Sequence, residues 1–257
     1  MDLSLSFLQT DLLWEQKKEN LQSIEKKILN HNSETDLIVL PEMFTTGFTM
    51  KPVVFYEKHI GDTVKRMQSW AKEKQAAIVG SLVVEKGGAY YNRLYFVKPN
   101  GEYSYYDKRH LFRMAGEDKH YTMGDSHLLV EYKGWKILPL VCYDLRFPVW
   151  ARNNVDYDLL IYVANWPERR SQAWKTLLKA RAIENLSYVL GVNRIGDDGN
   201  GVYHSGDSAL INFKGEKISK TKAHEENLET ITISRKELLD FRQKFPAYQD
   251  ADDFIIQ

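Results

Sequence analysis

The stretch LPLVCYDLRFP, residues 138–148, carries the only cysteine of a 257-residue chain, where an apolar run gives way to an aspartate and an arginine. A free cysteine by itself usually packs as a small hydrophobe. Two other reactive side chains share its placement, each at the end of an apolar run: Glu42 closes LIVLPE and Lys108 follows YYD in YYDKRH. A glutamate or lysine there alone would be a solvated loop residue. Together, a thiol, a carboxylate and an ammonium are the parts an amide hydrolase needs: a nucleophile, a base to take its proton, and a cation near the developing oxyanion.

The elements that would position them follow from the hydrophobic pattern. LSLSFLQ alternates as a strand, and residues 14–30 carry Trp14, Leu21, Ile24 and Ile28 at helical spacing. LIVLPE reads as a short buried strand, and residues 61–75 as an amphipathic helix through Val64, Met67 and Trp70. AAIVGSLVVE and YYNRLYFVKPNGEYSYYDK read as strands turned at GG and PNG. WKILPLVCY and DLLIYVANW are further strands, residues 171–185 a helix, and SYVLGVNRI the strand after it. Strands too apolar to alternate, mixed with helices, imply sheets buried on both faces and an α/β layered fold. In such folds sites form beyond the strand ends, which would bring distant segments together. No repeat or linker divides the chain, so residues 1–257 are expected to form one domain.

Composition narrows the partners. Thirty-five basic residues balance thirty-five acidic ones, so no global field favours nucleic acid or an anionic membrane. No apolar run reaches the length of a membrane span. One cysteine forms no internal disulfide, and the N-terminus lacks the basic and apolar regions of a signal peptide, so a reduced, cytoplasmic protein is expected. His110, His120 and His127 lack metal-ligand spacing, and GDDGNG lacks a phosphate-loop pattern, so neither a metal nor a cofactor is expected.

LIVLPEMFTTGF, YYDKRHLF and LVCYDLRFP resemble, in order, the three signature blocks of the nitrilase superfamily of carbon-nitrogen hydrolases. The resemblance implies a four-layer αββα sandwich and catalytic roles for Glu42, Lys108 and Cys142. It also places the family's additional glutamate on Glu117, in HLFRMAGEDKHYTMGD. LPEMFTTGF, KRHLFRMAGEDKHY, ANWPERR and GVNRIGDDGNG look most like the bacterial omega-amidase branch, implying hydrolysis of the terminal amide of short dicarboxylic acid monoamides such as 2-oxoglutaramate. Relatives of this kind usually pair, so a homodimer is expected. The same triad also fits cleavage of a carbamoyl group or a nitrile, and a folded binding protein can retain such residues unused.

In the implied chemistry Glu42 takes the thiol proton, and Lys108 with the backbone N–H of Tyr143 receives the oxyanion. A substrate carboxylate needs a cation, for which Arg169 and Arg170 are the candidates, and Trp166 and Phe48 would wall a small pocket. Asp144 and Arg146, flanking the cysteine, read as braces for its turn rather than as catalytic groups.

Overall fold

The computed structural model describes residues 1–252 and 254–256. In chain order the first half holds β1 (Asp2–Gln9), α1 (Lys17–Leu29), β2 (Leu37–Val39), α2 (Pro52–Phe55), β3 (Glu57–Lys58), α3 (Asp62–Lys74), β4 (Ala77–Lys86), β5 (Ala89–Val97) and β6 (Tyr103–Asp107). The second holds β7 (Val130–Tyr132), β8 (Trp135–Val141), β9 (Leu159–Ala164), α4 (Ser171–Asn185), β10 (Tyr188–Asn193), β11 (Ile195–Asp197), β12 (Tyr203–Ser205), β13 (Ala209–Ile211), β14 (Asn227–Ser234) and α5 (Arg235–Lys244).

One sheet has the order β14-β1-β2-β4-β5-β6, with β3 beside β4, and the other runs β13-β10-β9-β8-β7. The centre of each is parallel, β1-β2-β4 and β8-β9-β10, and the outer partners are antiparallel. Alternation along the first sheet divides its side chains between two cores. Leu37 and Val39 of β2, Ala77 and Val79 of β4, and Leu94 and Phe96 of β5 meet the second sheet. Ile38, Ile78 and Val84 face the other way, against Ile24 and Ile28 of α1 and Val64, Met67 and Trp70 of α3. On the far side of the second sheet α4 closes over β10 at Gly191, where an added Cβ would lie 2.6 Å from Leu178 and 2.7 Å from Trp174. The result is helix, sheet, sheet, helix: an αββα sandwich whose strands are apolar on both faces because both are covered.

Helix α4 has the bounds the sequence pattern predicts. Helix α1 begins at Lys17, not at Trp14. The side chain of Asn20 exchanges hydrogen bonds with the backbone of Leu13 (2.8 and 2.7 Å) and donates to Thr45 O (2.9 Å), and Glu15 takes a left-handed φ of 57°. That loop points Trp14 at Gly47 and Gly199 instead of into the helix face. No helix among the described residues is long and apolar enough to cross a membrane.

Candidate active site

Strand ends from both sheets converge at one end of the sandwich. Glu42 follows β2, Lys108 is the residue after β6, Cys142 the residue after β8 and Asn165 the residue after β9. Cys142 begins a short 3₁₀ helix, Cys142–Arg146, with a left-handed φ of 45°. A non-glycine residue in that region is strained, and a sharp strand-to-helix turn of this kind presents a side chain above the sheet.

The turn is tied down by Asp144, as the sequence suggests. Its buried carboxylate accepts from Val141 N (3.0 Å), Tyr106 OH (2.8 Å), His110 N (3.0 Å) and His110 Nδ1 (2.8 Å). Arg146 departs from the expectation. It makes no hydrogen bond or ion pair among the described residues; its guanidinium lies 5.1 Å from the Trp166 ring and lines the pocket above Cys142. Arg181 of α4 supplies the brace instead, donating to Leu145 O at 2.6 Å from a buried position. A helix already packed on the sheet reaches the turn from below, which leaves Arg146 free to face outward.

Beside the thiol lies a buried charge cluster. Lys108 Nζ donates to Glu42 Oε1 (2.9 Å) and to both oxygens of Glu117 (3.0 and 2.9 Å), and none of the three side chains is exposed. Glu42 Oε2 accepts the backbone N–H of Asn165 (2.8 Å), Glu42 O accepts Asn165 Nδ2 (2.6 Å), and Glu117 Oε2 accepts Phe112 N (2.6 Å). Asn165 O lies 3.9 Å from Cys142 Sγ, so one residue touches both the carboxylate and the sulfur. The face of Phe48 lies 4.9 Å from Lys108 Nζ.

A pocket of about 330 Å³ opens over Cys142 and Lys108. Phe48, Tyr143 and Trp166 line it together with Arg146, Arg169 and Arg170. Arg170 lies over the ring of Phe112 at 5.0 Å. The sequence-predicted residues thus come together: the carboxylates behind the thiol, the aromatics as walls, the arginines at the mouth. Among the described residues no group of three or more His, Cys, Asp and Glu side chains is arranged to hold a metal ion.

Residues 5–243 match the carbon-nitrogen hydrolase family. The chain belongs to that family. The hydrolase is 48% identical over 252 residues to omega-amidase YafV of Escherichia coli, covering 98% of both chains, and 30% identical to the 2-oxoglutaramate amidase of Bacillus subtilis, covering 97% of this chain and 98% of that one. It superposes on XC1258 of Xanthomonas campestris, a CN-hydrolase superfamily protein whose structure carries an arsenic adduct in the active site, with a TM-score of 0.97, 42% identity and full coverage of both chains.

The electrostatics of the hydrolase follow from burial. Burial pushes the Cys142 thiol well up, the nearby Glu42 adds to the rise, and Lys108 opposes it. The resting sulfur is therefore a thiol, and attack needs a base during the reaction. Burial disfavours the Lys108 charge, but Glu117 and Glu42 outweigh it and hold the ammonium. Burial pushes the Glu117 carboxyl up against the pull of Lys108, with Glu42 adding to the rise. At the mouth, burial and then the neighbouring Arg169 push Arg170 down, so an anion arriving there relieves repulsion.

Asn92, whose Nδ2 donates to Glu42 Oε1 at 2.7 Å, and Asn165 are the members of this cluster that sequence reasoning missed. The signal was present: IYVANW sets an amide directly after an apolar strand, and YYNRLYFV sets one inside a strand whose other residues, Arg93 apart, are apolar or aromatic. A buried amide there needs partners: the Glu42 and Glu117 carboxylates supply them for Asn92, and the backbone carbonyl of Glu42 for Asn165.

Proposed function

We propose that the protein is an omega-amidase that hydrolyses the terminal amide of short dicarboxylic acid monoamides such as 2-oxoglutaramate, giving the acid and ammonia through a thioester on Cys142. The observation that carries the reading is the pocket itself, with Cys142 and Lys108 at its floor, Glu42 and Glu117 behind them, and at its mouth three guanidiniums that make no ion pair among the described residues. Relatives named omega-amidase and 2-oxoglutaramate amidase support it.

Glu42 takes the thiol proton as Sγ attacks the amide carbon. Lys108 has three N–H bonds; one points to Glu42 and a second, shared between the two oxygens of Glu117, fixes the ammonium's direction, which leaves the third for the pocket. That donor and the Tyr143 N–H, in the first turn of a helix where backbone donors lack intrahelical partners, receive the oxyanion. Each such donor contributes about 100-fold to 1000-fold in rate. Protonated Glu42 then passes its proton to the departing nitrogen, releasing ammonia and leaving the acyl group on sulfur. A water activated by Glu42 attacks the thioester, and its proton returns through Glu42 to Sγ. Glu117 acts on Lys108, holding its position and charge.

The distal carboxylate of the substrate pairs with Arg146, Arg169 or Arg170, whose planar guanidiniums fit a carboxylate through two parallel hydrogen bonds, between the walls Phe48 and Trp166. In this reading the enzyme is a single-domain, cytoplasmic homodimer that takes a small-molecule amide and needs no cofactor, nucleic acid or membrane. Sedimentation showing only monomer at micromolar concentration would exclude the dimer.

The test is ammonia release from 2-oxoglutaramate, succinamate, glutamine and N-carbamoyl-β-alanine, with Cys142→Ala as control. Release from the first two alone, abolished in the control, is expected. Preference for the carbamoyl compound keeps the mechanism and overturns the substrate, and no release from any of them by folded protein overturns the enzymatic reading.

A further inference from the structure

Asn92 lies in β5, opposite Val83 of β4, fully buried in a strand whose following residues, Leu94 to Val97, are apolar or aromatic. Its Nδ2 donates to Glu42 Oε1 at 2.7 Å and to Glu117 Oε1 at 3.3 Å, and its backbone O accepts the N–H of Lys108 at 3.0 Å. One residue thus touches both carboxylates of the cluster and the backbone of its lysine. The orientation of the amide is dictated by chemistry, since turning it over would set Oδ1 against two carboxylate oxygens. Its Oδ1 has no partner among the described residues. A buried, half-satisfied amide costs stability that an apolar residue at this strand position would not, so folding alone does not account for it.

We infer that Asn92 is a positioning residue for the reaction proposed above: its side-chain amide bridges Glu42 and Glu117 and keeps both as hydrogen-bond acceptors, so that Glu42 stands ready to take the thiol proton. Two carboxylates around one ammonium and a neutral thiol carry a net negative charge inside the sandwich. Such pairs tend to hold a proton between them. The amide opposes that by offering an N–H that only an unprotonated oxygen accepts.

The other groups facing the pair fit this division of labour. Lys108 after β6 supplies the single positive charge, and Cys142 after β8 stays a thiol. Tyr121, whose hydroxyl donates to Thr49 O at 2.8 Å, is kept neutral by burial, with Glu117 adding to the effect. Glu15 is felt at Tyr121 as well, after Glu117, Lys108 and Glu42. Besides Asn92, only Lys108 and the backbone N–H groups of Asn165 and Phe112 donate to the pair among the described residues.

The test reads two pH profiles on the intact enzyme carrying Asn92→Ala: kcat for ammonia release from succinamate, and the rate of Cys142 alkylation by iodoacetamide. Asn92→Ser, which keeps a short donor, serves as a second variant. For Asn92→Ala we expect kcat to fall about 10-fold to 100-fold near pH ~6.5 and to recover to within about threefold of wild type by pH ~9, with KM moving less than about twofold. The alkylation rate follows the same alkaline displacement, and Asn92→Ser lies between the two. A loss equal at every pH, or profiles that superpose on wild type, would overturn the inference. Should Asn92→Ala not fold, the serine variant decides, a profile unmoved from wild type again overturning it. Should wild type release no ammonia from any amide, the proposed function falls, while the alkylation profiles still decide the role of Asn92.

Discussion

Glu42 has almost no freedom. Lys108 and Asn92 donate to one of its oxygens and the Asn165 N–H to the other, which leaves a lone pair for a single further proton. Glu42→Gln keeps the shape, but its NH₂ must face one of those donors, so we expect a stability loss of about 1–3 kcal/mol. Turnover falls further, by about 100-fold to 10,000-fold, because the amide accepts no proton. Ammonia release and urea unfolding measured side by side check this, and an unfolded variant would make Glu42 a structural residue. Arg146 belongs to the same scale. Exposed at the mouth and without a hydrogen bond or ion pair among the described residues, it touches the fold only through the Trp166 face, so Arg146→Ala should leave the melting temperature nearly unchanged and lower kcat/KM for succinamate by about 10-fold to 100-fold, as expected for loss of a charge-assisted pair of about 1.5–3 kcal/mol. The uncharged amide propionamide, lacking the distal carboxylate, should show no comparable drop; an equal drop would mean that Arg146 shapes the pocket instead. That Glu42, Lys108 and Cys142 meet was legible from their shared placement at strand ends and from the resemblance of the three blocks that carry them, not from any one residue alone. Arg146 was misread as a brace because a guanidinium beside a turn can turn inward to the backbone or outward to the pocket, and only the structure, with Arg181 on Leu145 O, shows that it faces the pocket.

At the scale of elements, the turn at Cys142 is held by a helix thirty-odd residues further along the chain. Arg181 of α4 donates to Leu145 O from a buried position and pairs with Glu184 at 2.8 Å. Arg181→Met fills similar space but leaves that carbonyl unsatisfied, for an expected loss of about 1–3 kcal/mol. Because Cys142 keeps its left-handed φ only while its surroundings enforce it, kcat should fall as well, with KM little changed. Calorimetry and steady-state kinetics on this variant test the link; a destabilised enzyme with wild-type kcat would show that the turn holds without α4. The helix itself was readable from residues 171–185, where the apolar spacing is local. Strand β14 was not. Asn227–Ser234 is half-exposed and carries Glu229, Thr230 and Thr232, and it becomes a strand by pairing with β1, some 220 residues away, through Ser4–Thr232 and Ser6–Thr230 hydroxyl contacts of 2.8 Å each. A partner so distant leaves no periodic mark in the segment. Trp14 failed for the converse reason, since a helical spacing continued by chance into a loop that Asn20 closes.

For the molecule as a whole, buried titratable groups set a window of stability. His204 is pushed down to about 4, by burial first and by Arg194 next, and His31, His59 and His127 are also lowered by burial. A histidine lowered in the folded state contributes stability that is present above its ordinary value of 6.5 and is lost as pH falls through the folded value. For His204 alone that amounts to roughly 3 kcal/mol. Glu117, raised, runs the other way above its ordinary 4.5, one group against four. On the alkaline side Cys142, with an ordinary value of 9.0, and Tyr106 and Tyr157, with 10.0, are raised by burial. Their folded forms retain protons that the unfolded chain gives up, so their contribution is complete below those values and declines above them. Unfolding free energy should therefore be greatest between pH ~6.5 and pH ~9 and fall on both sides. Chemical denaturation across that range tests the window, and His204→Gln tests its acid edge. The variant should lose stability at neutral pH and show a shallower decline toward pH ~4. An acid limb as steep as wild type would show that protonation of other groups, not of this buried imidazole, opens the fold.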